Sequence, residues 1–327
     1  MSPTPIVSTG ALPSHEEVQA LLEEAYAACI PIDDGEVADY IPALAAAPRD
    51  AFGACIAGIA GGLYEVGDTT TPFSMQSVSK PFVFALVCQA IGSEEAREKL
   101  GVNSTGLPFD SVMAIELGAD RTMNPMVNAG AIATTSLVPG TTGPEKWQFV
   151  LDGLSAFAGR PLSLDRGVYA SESAHNLRNQ GIAHLLESYG RLYFDPDIAT
   201  DVYTMQCSVL VNARDLAVMA ATLADGGVNP QTGARVIDTE HCKRVLAVLA
   251  TAGLYEHSGK WLYETGLPGK SGVSGGIVTI APGKGGVGTW SPPLDTAGNS
   301  VRGQALTHRL SEDLGLNLFA SEAYRTP

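Results

Sequence analysis

Strand-like text at both ends of the chain, with helix-period text between, restricts what these 327 residues can fold into more than any other feature. Residues 52–59 and 63–66 are short β-like pieces separated by Gly61-Gly62, a plausible hairpin turn. Strand text returns at 272–281 and around 287–290. Across 77–250 most segments repeat their apolar residues at helical spacing, punctuated by glycine and proline. That arrangement predicts an α+β fold in which both ends of the chain share one sheet. The expected sheet lobe covers about 13–76 plus 255–327, and a helical lobe of about 77–254 is inserted into it.

The first dozen residues, rich in Pro, Ser and Thr, read as a loose tail. Ser14-His-Glu-Glu17 then reads as a capping box, followed by Val18, Leu21, Leu22, Ala25 and Cys29 at helical spacing. A last amphipathic helix is expected near 303–314. The sequence shows no internal repeat and no long linker, so residues 13–327 are expected to form one unit of two lobes.

Charge removes two classes of function. With 20 Lys and Arg against 35 Asp and Glu, the net charge is −15, which offers no footprint for nucleic acid and repels anionic lipid. Five scattered cysteines with no C-x-x-C argue against a disulfide framework or a structural zinc. The first twelve residues hold no cationic side chain and no apolar stretch of signal-peptide length, and no run of 18 apolar residues could span a bilayer. A reduced, cytoplasmic protein is expected. The six histidines show no metal-ligand spacing and read as surface or satisfied core residues.

Two short motifs could carry chemistry. In Ser77-Val-Ser-Lys80 the three-residue spacing sets serine and lysine on one face of a helix start. The text that follows, Phe82-Val-Phe-Ala-Leu-Val-Cys88, is apolar all round and predicts a buried helix. A lysine desolvated there loses proton affinity and can take a proton from serine. The second motif, Lys270-Ser271-Gly272, is not a phosphate loop: Glu264 stands where that loop needs its first glycine, and strand text follows instead of a helix. It fits the lysine–hydroxyl–glycine strand of S-x-x-K acyl-transferases, in which the lysine presents positive charge to the site. The N–H of the next residue, Val273, and that of Ser77 would face a developing oxyanion. The two motifs together, in this order and about 190 residues apart, are far more specific than either alone.

Phe73-Ser-Met-Gln-Ser-Val-Ser-Lys80, Asn124-Pro-Met-Val-Asn-Ala-Gly-Ala-Ile132, Tyr203-Thr-Met-Gln-Cys-Ser208 and the segment 266–277 resemble the signature segments of the serine-dependent glutaminase family. Gly298-Asn-Ser300 and Leu316-Asn-Leu-Phe319 match its ending, and the resemblance covers about 13–320. It implies a β-lactamase/DD-peptidase-like fold with an antiparallel sheet. It also implies hydrolysis of L-glutamine to L-glutamate and ammonia through a serine acyl-enzyme, with no metal or organic cofactor, in a homodimer or homotetramer.

By the same resemblance Ser77 matches the nucleophile and Lys80 its activating partner. Tyr40, Asn128, Glu172, Asn179, Tyr203, Tyr255 and Val273 match substrate-binding positions, with Lys80, Tyr203 and Tyr255 left as candidates for activating the deacylating water. Physically, Glu172 suits the substrate ammonium, and the amides of Asn128 and Asn179 suit its carboxylate. Taken alone, Asn128 reads as a turn or cap residue, Ser171-Glu172 as an ordinary helix start, and the tyrosines as core or rim aromatics. A penicillin-binding or β-lactamase-like hydrolase, or a glutamine sensor without catalysis, stays open at this point.

Overall fold

The computed structural model describes residues 12–39 and 41–321, so most of the expected tail and Tyr40 lie outside the described residues. Ser14 caps α1 (His15–Cys29) by accepting from the Glu17 N–H at 3.3 Å. Strands β1 (Gly53–Gly58) and β2 (Leu63–Gly67) follow, then the two-residue β3 (Phe73–Ser74), a 3₁₀ turn at Gln76–Ser79, and α2 (Lys80–Ile91). The middle of the chain runs through α3 (Ser93–Leu100), α4 (Val112–Leu117), α5 (Asn128–Leu137), α6 (Gly143–Ala158) and β4 (Ser163–Leu164). It continues through α7 (Arg166–Ser173), α8 (Leu177–Ser188), α9 (Pro196–Cys207), β5 (Val209–Val211), α10 (Ala213–Ala224) and α11 (Thr239–Ala252). A 3₁₀ turn at Tyr255–His257, α12 (Ser258–Thr265), β6 (Gly269–Ser271), β7 (Gly276–Ala281), β8 (Gly285–Trp290) and α13 (Val301–Asp313) complete it.

The two ends of the chain do share one sheet. Its order is β2-β1-β8-β7-β6, and every pairing is antiparallel. β1 alternates faces as a strand must: Ala54 and Ile56 pack with Val18, Leu22, Leu306 and Leu310 of α1 and α13, while Cys55 and Ala57 pack on Ala217, Val218 and Ala221 of α10. The fold is α+β, with helices on both faces of an antiparallel sheet.

Three expectations need adjusting. The strand text of 272–281 is broken: residues 272–275 turn between β6 and β7, with Gly275 at φ +94° and the Gly275 N–H on the Gly272 carbonyl at 2.9 Å. The last helix begins at Val301, because Ser300 caps it by accepting from the Gly303 N–H. A second, three-stranded sheet of order β3-β5-β4 was not foreseen, since strands of two or three residues show no periodicity. Among the described residues no helix is long and apolar enough to cross a membrane.

Where α10 crosses β8, the strand offers no side chain at Gly286 and Gly288. The start of α10 is fixed by a reciprocal cap, Asn212 with Asp215, and Asp215 also pairs with Arg160 at 2.5 Å. A Cβ added to Gly288 would overlap the Ala213 carbonyl, and one on Gly286 would overlap the Ala220 methyl. Gly288→Ala is therefore expected to cost about 1–3 kcal/mol of stability, the range for overpacking. Thermal unfolding checks this, and an unchanged midpoint would contradict the close seat of helix on strand.

Candidate active site

β3 delivers the chain into the Ser77 turn, and the Met75 N–H anchors that turn to the Val209 carbonyl at 2.8 Å. Gln76 then adopts φ +51°, a left-handed conformation that costs a non-glycine residue about 1–3 kcal/mol. A buried relay holds it there: Thr135 Oγ1 donates to Gln206 Oε1, Gln206 Nε2 to Ser79 Oγ, and Ser79 Oγ to the Gln76 carbonyl at 2.8 Å. The result puts Ser77 at the wall of a cleft and Lys80 beneath it at the start of α2, where Pro81 fits the first turn.

The cleft encloses about 220 Å³ and is lined by Ser77, Asn128, Glu172, Asn179, Tyr203 and Val273 among others. Six of the residues expected at the site from sequence thus converge from four helices, the Ser77 turn and the turn between β6 and β7. Lys80 is 1% exposed. Its Nζ donates to Asn128 Oδ1 at 2.8 Å and to the Met126 carbonyl at 3.4 Å, and burial lowers its pKa to about 8. Asn128 opens α5 and serves as a hub: its Oδ1 also accepts from Tyr203 OH at 3.3 Å, and its Nδ2 donates to Asn179 Oδ1 at 3.1 Å.

Tyr255 sits at φ +53° just below the cleft. Ser258 Oγ holds it by donating to the Tyr255 carbonyl at 2.7 Å while accepting from the Leu254 N–H at 3.0 Å. The Tyr255 phenol donates to the Ser271 carbonyl at 3.0 Å and receives the Ser77 hydroxyl as a hydrogen-bond partner. Desolvation raises the phenols of Tyr203 and Tyr255 far above their ordinary value, so both stay protonated at neutral pH. Cys207 reaches the cleft too, but burial pushes its thiol up to about 12, which removes it as a nucleophile.

Glu172 is in the last turn of α7, which Asp165 caps, and not at a helix start. Burial pushes its carboxyl up to about 7, against the opposing pull of the Gln76 amide, which donates to Glu172 Oε1 at 2.5 Å. Its hydrogen-bond partner is thus a neutral amide, not a cation.

Lys270 packs against the Tyr255 ring. It is fully buried, donates to the Ser271 carbonyl at 2.8 Å, and lies 4.1 Å from the Tyr255 ring centre. Desolvation first, with the Lys80 charge second, lowers its pKa well below the usual lysine range. Gly272 explains why β6 comes so near the serine: a Cβ there would lie 3.0 Å from the Met75 carbonyl and 3.1 Å from Val78.

Several cleft residues had no signal in the sequence. Gln76 was inside a quoted motif but given no role. Phe109, whose ring centre is 4.7 Å from that of Tyr255, and the Arg178–Asp110 ion pair at 3.0 Å belong to loops and helix ends that only the fold brings to the mouth. His175 also lines the cleft, with Nδ1 bonded to the Ser171 carbonyl.

Comparison with known proteins gives one consistent answer. The family model described as Glutaminase matches residues 35–319. The chain is 59% identical over 318 residues to Glutaminase 2 of Yersinia pestis, covering 97% of this chain and 94% of the relative. It is 47% identical to a glutaminase of Brucella canis, covering 94% and 97%. Among solved structures, a probable glutaminase ybaS superposes with TM-score 0.93 at 42% identity, covering 94% of this chain and all of the other. The Bacillus subtilis glutaminase YbgJ, in a covalent complex formed by reaction with 6-diazo-5-oxo-L-norleucine, superposes with TM-score 0.81 at 28% identity, covering 93% and 99%.

Proposed function

We propose, for a chain that belongs to the glutaminase family and hydrolyses L-glutamine to L-glutamate and ammonia, that the reaction runs through an acyl-enzyme on Ser77. The observation that carries this reading is Lys80, completely buried one turn from Ser77 and poised near pKa 8. An amine so placed is neutral in a useful fraction of molecules at neutral pH. It accepts the Ser77 proton as the oxygen attacks the amide carbon of glutamine. The C–N bond then breaks, the proton passes to the leaving nitrogen, and ammonia departs. Water attacks the ester in a second round, giving its proton to the same amine and restoring Ser77.

The other groups divide the remaining work. The N–H groups of Ser77 and Val273 receive the oxyanion, with Val273 brought close by the glycine before it. Tyr203 and Tyr255 keep their protons, so they act as donors and leave Lys80 as the base for both half-reactions. Glu172 receives the substrate ammonium, which returns its carboxyl to the ionised state. The free end of the Asn179 amide donates to the substrate carboxylate, while Asn128 orients it and Lys80 together. The covalent diazo-ketone adduct of the Bacillus subtilis protein supports a nucleophile in a site of this shape.

The sign of the pH dependence tests Lys80. Only its free-amine form is reactive, so kcat/KM is expected to rise with pH and level off above about 8. Below about 7 the limb steepens, because Glu172 protonates as well. A profile flat from pH 6 to 9 would remove Lys80 as the base.

A further inference from the structure

We propose that a second cavity, between α2, α3 and α11, is a binding site for a small carboxylate with an apolar body, coupled to Lys80 through the segment 102–109. The coupling half rests on the role given to Lys80 above; the binding half does not. This cavity holds about 370 Å³, more than the cleft that takes glutamine. Phe84, Val102, Ala247 and Val248 give it apolar walls. Arg97 and Arg244 enter from two different helices and meet on Glu94, at 3.0 and 3.4 Å from its two oxygens. Two guanidinium groups share one carboxylate there, leaving a net charge of +1 on a chain whose total is −15. Forked N–H donors match a carboxylate, and a single surplus charge suits a monoanion rather than a phosphate dianion. Ser93 adds a buried hydroxyl at the wall, paired to His241 Nδ1 at 2.5 Å and with bonding capacity left over.

The route to Lys80 is a continuous set of hydrogen bonds. Asn103 lines the cavity, and its carbonyl accepts from Asn124 Nδ2 at 2.8 Å. Asn124 Oδ1 accepts from the Met126 N–H at 3.0 Å, and the Met126 carbonyl accepts from Lys80 Nζ. The same segment, from Val102 and Asn103, ends at Phe109 and Asp110 in the cleft wall. A ligand that fixes Asn103 therefore acts on both the base and the wall of the active cleft.

The probe is 4-phenylbutyrate, with 4-phenylbutanamide as its neutral counterpart. Calorimetry on full-length Ser77→Ala protein reads binding of the acid, which carries no amide to hydrolyse, independently of the catalytic assignment. Millimolar or tighter binding of the acid is expected, weakened about tenfold by Arg244→Ala and by Arg97→Ala. The amide should bind at least that much more weakly, and L-glutamate at saturating concentration should not displace the acid. In active enzyme the acid should change kcat/KM by about twofold or more, and Arg244→Ala, with its own activity unchanged, should abolish that response. No heat of binding, binding indifferent to both arginines, or displacement by L-glutamate would each overturn the site. Binding that leaves kcat, KM and the pH limb unchanged would overturn the coupling.

Discussion

Ser77→Ala is expected to lower kcat by about 10⁴-fold or more, the scale on which removing an acyl-transfer nucleophile acts. The fold should survive. Ser77 is buried in a 3₁₀ turn whose backbone is fixed by Met75, Ser79 and Gln206, and alanine replaces only a hydroxyl paired to Tyr255. The unfolding midpoint is therefore expected to stay within a few degrees of wild type. Treatment with 6-diazo-5-oxo-L-norleucine should add mass to the tryptic peptide holding Ser77 in wild type and to no peptide in the variant. Near-normal turnover in a folded Ser77→Ala protein, or an adduct mapped elsewhere, would sink the nucleophile assignment.

Glu172→Gln is the second large effect. The substitution keeps the shape of the side chain but leaves the glutamine ammonium buried without a counter-ion. Removing one partner of such a pair costs about 2–4 kcal/mol, so kcat/KM should fall by roughly 30- to 1,000-fold. A glutamine analogue without the α-amino group separates the roles. It should be a poor substrate for wild type and lose little more in the variant. An equal factor for both substrates would mean that Glu172 supports the cleft without reading the ammonium.

The parts of this site legible in the sequence are those whose chemistry sits in a short spacing. Ser77 and Lys80 are three residues apart, and the apolar text after them already implied burial. α1, β1, β2 and the sharing of one sheet by both ends followed from periodicity, because each element is long enough to show one. Glu172 was found through the family resemblance, but its place at a helix end depends on a cap seven residues earlier, at Asp165. Asp110 and Arg178 could not be paired from text, since 68 residues and four helices separate them. The burial of Lys270 was not legible for a related reason: a motif names the residue, whereas its proton affinity depends on how much water the fold removes. Tyr40 lies outside the described residues, and its assignment rests on the resemblance alone.

The contact of α10 with β8 bears on where this molecule can bend. Most cores absorb a shift by changing rotamers, but Gly286 and Gly288 have none to change, and what faces them is mainly the α10 backbone at Ala213, Ala217 and Ala221, with the Cβ atoms of Leu216 and Ala220. The approach repeats nearer the nucleophile, where a Cβ on Gly253 would overlap the Gly269 carbonyl and Gly272 lies against the Ser77 turn. Backbone locked against backbone cannot host a hinge, so the nucleophile side of the cleft behaves as an anvil. Any change in cleft width on binding glutamine is therefore expected on the opposite side, at α7, α8 and the loop of Phe109, which the Arg178–Asp110 ion pair links.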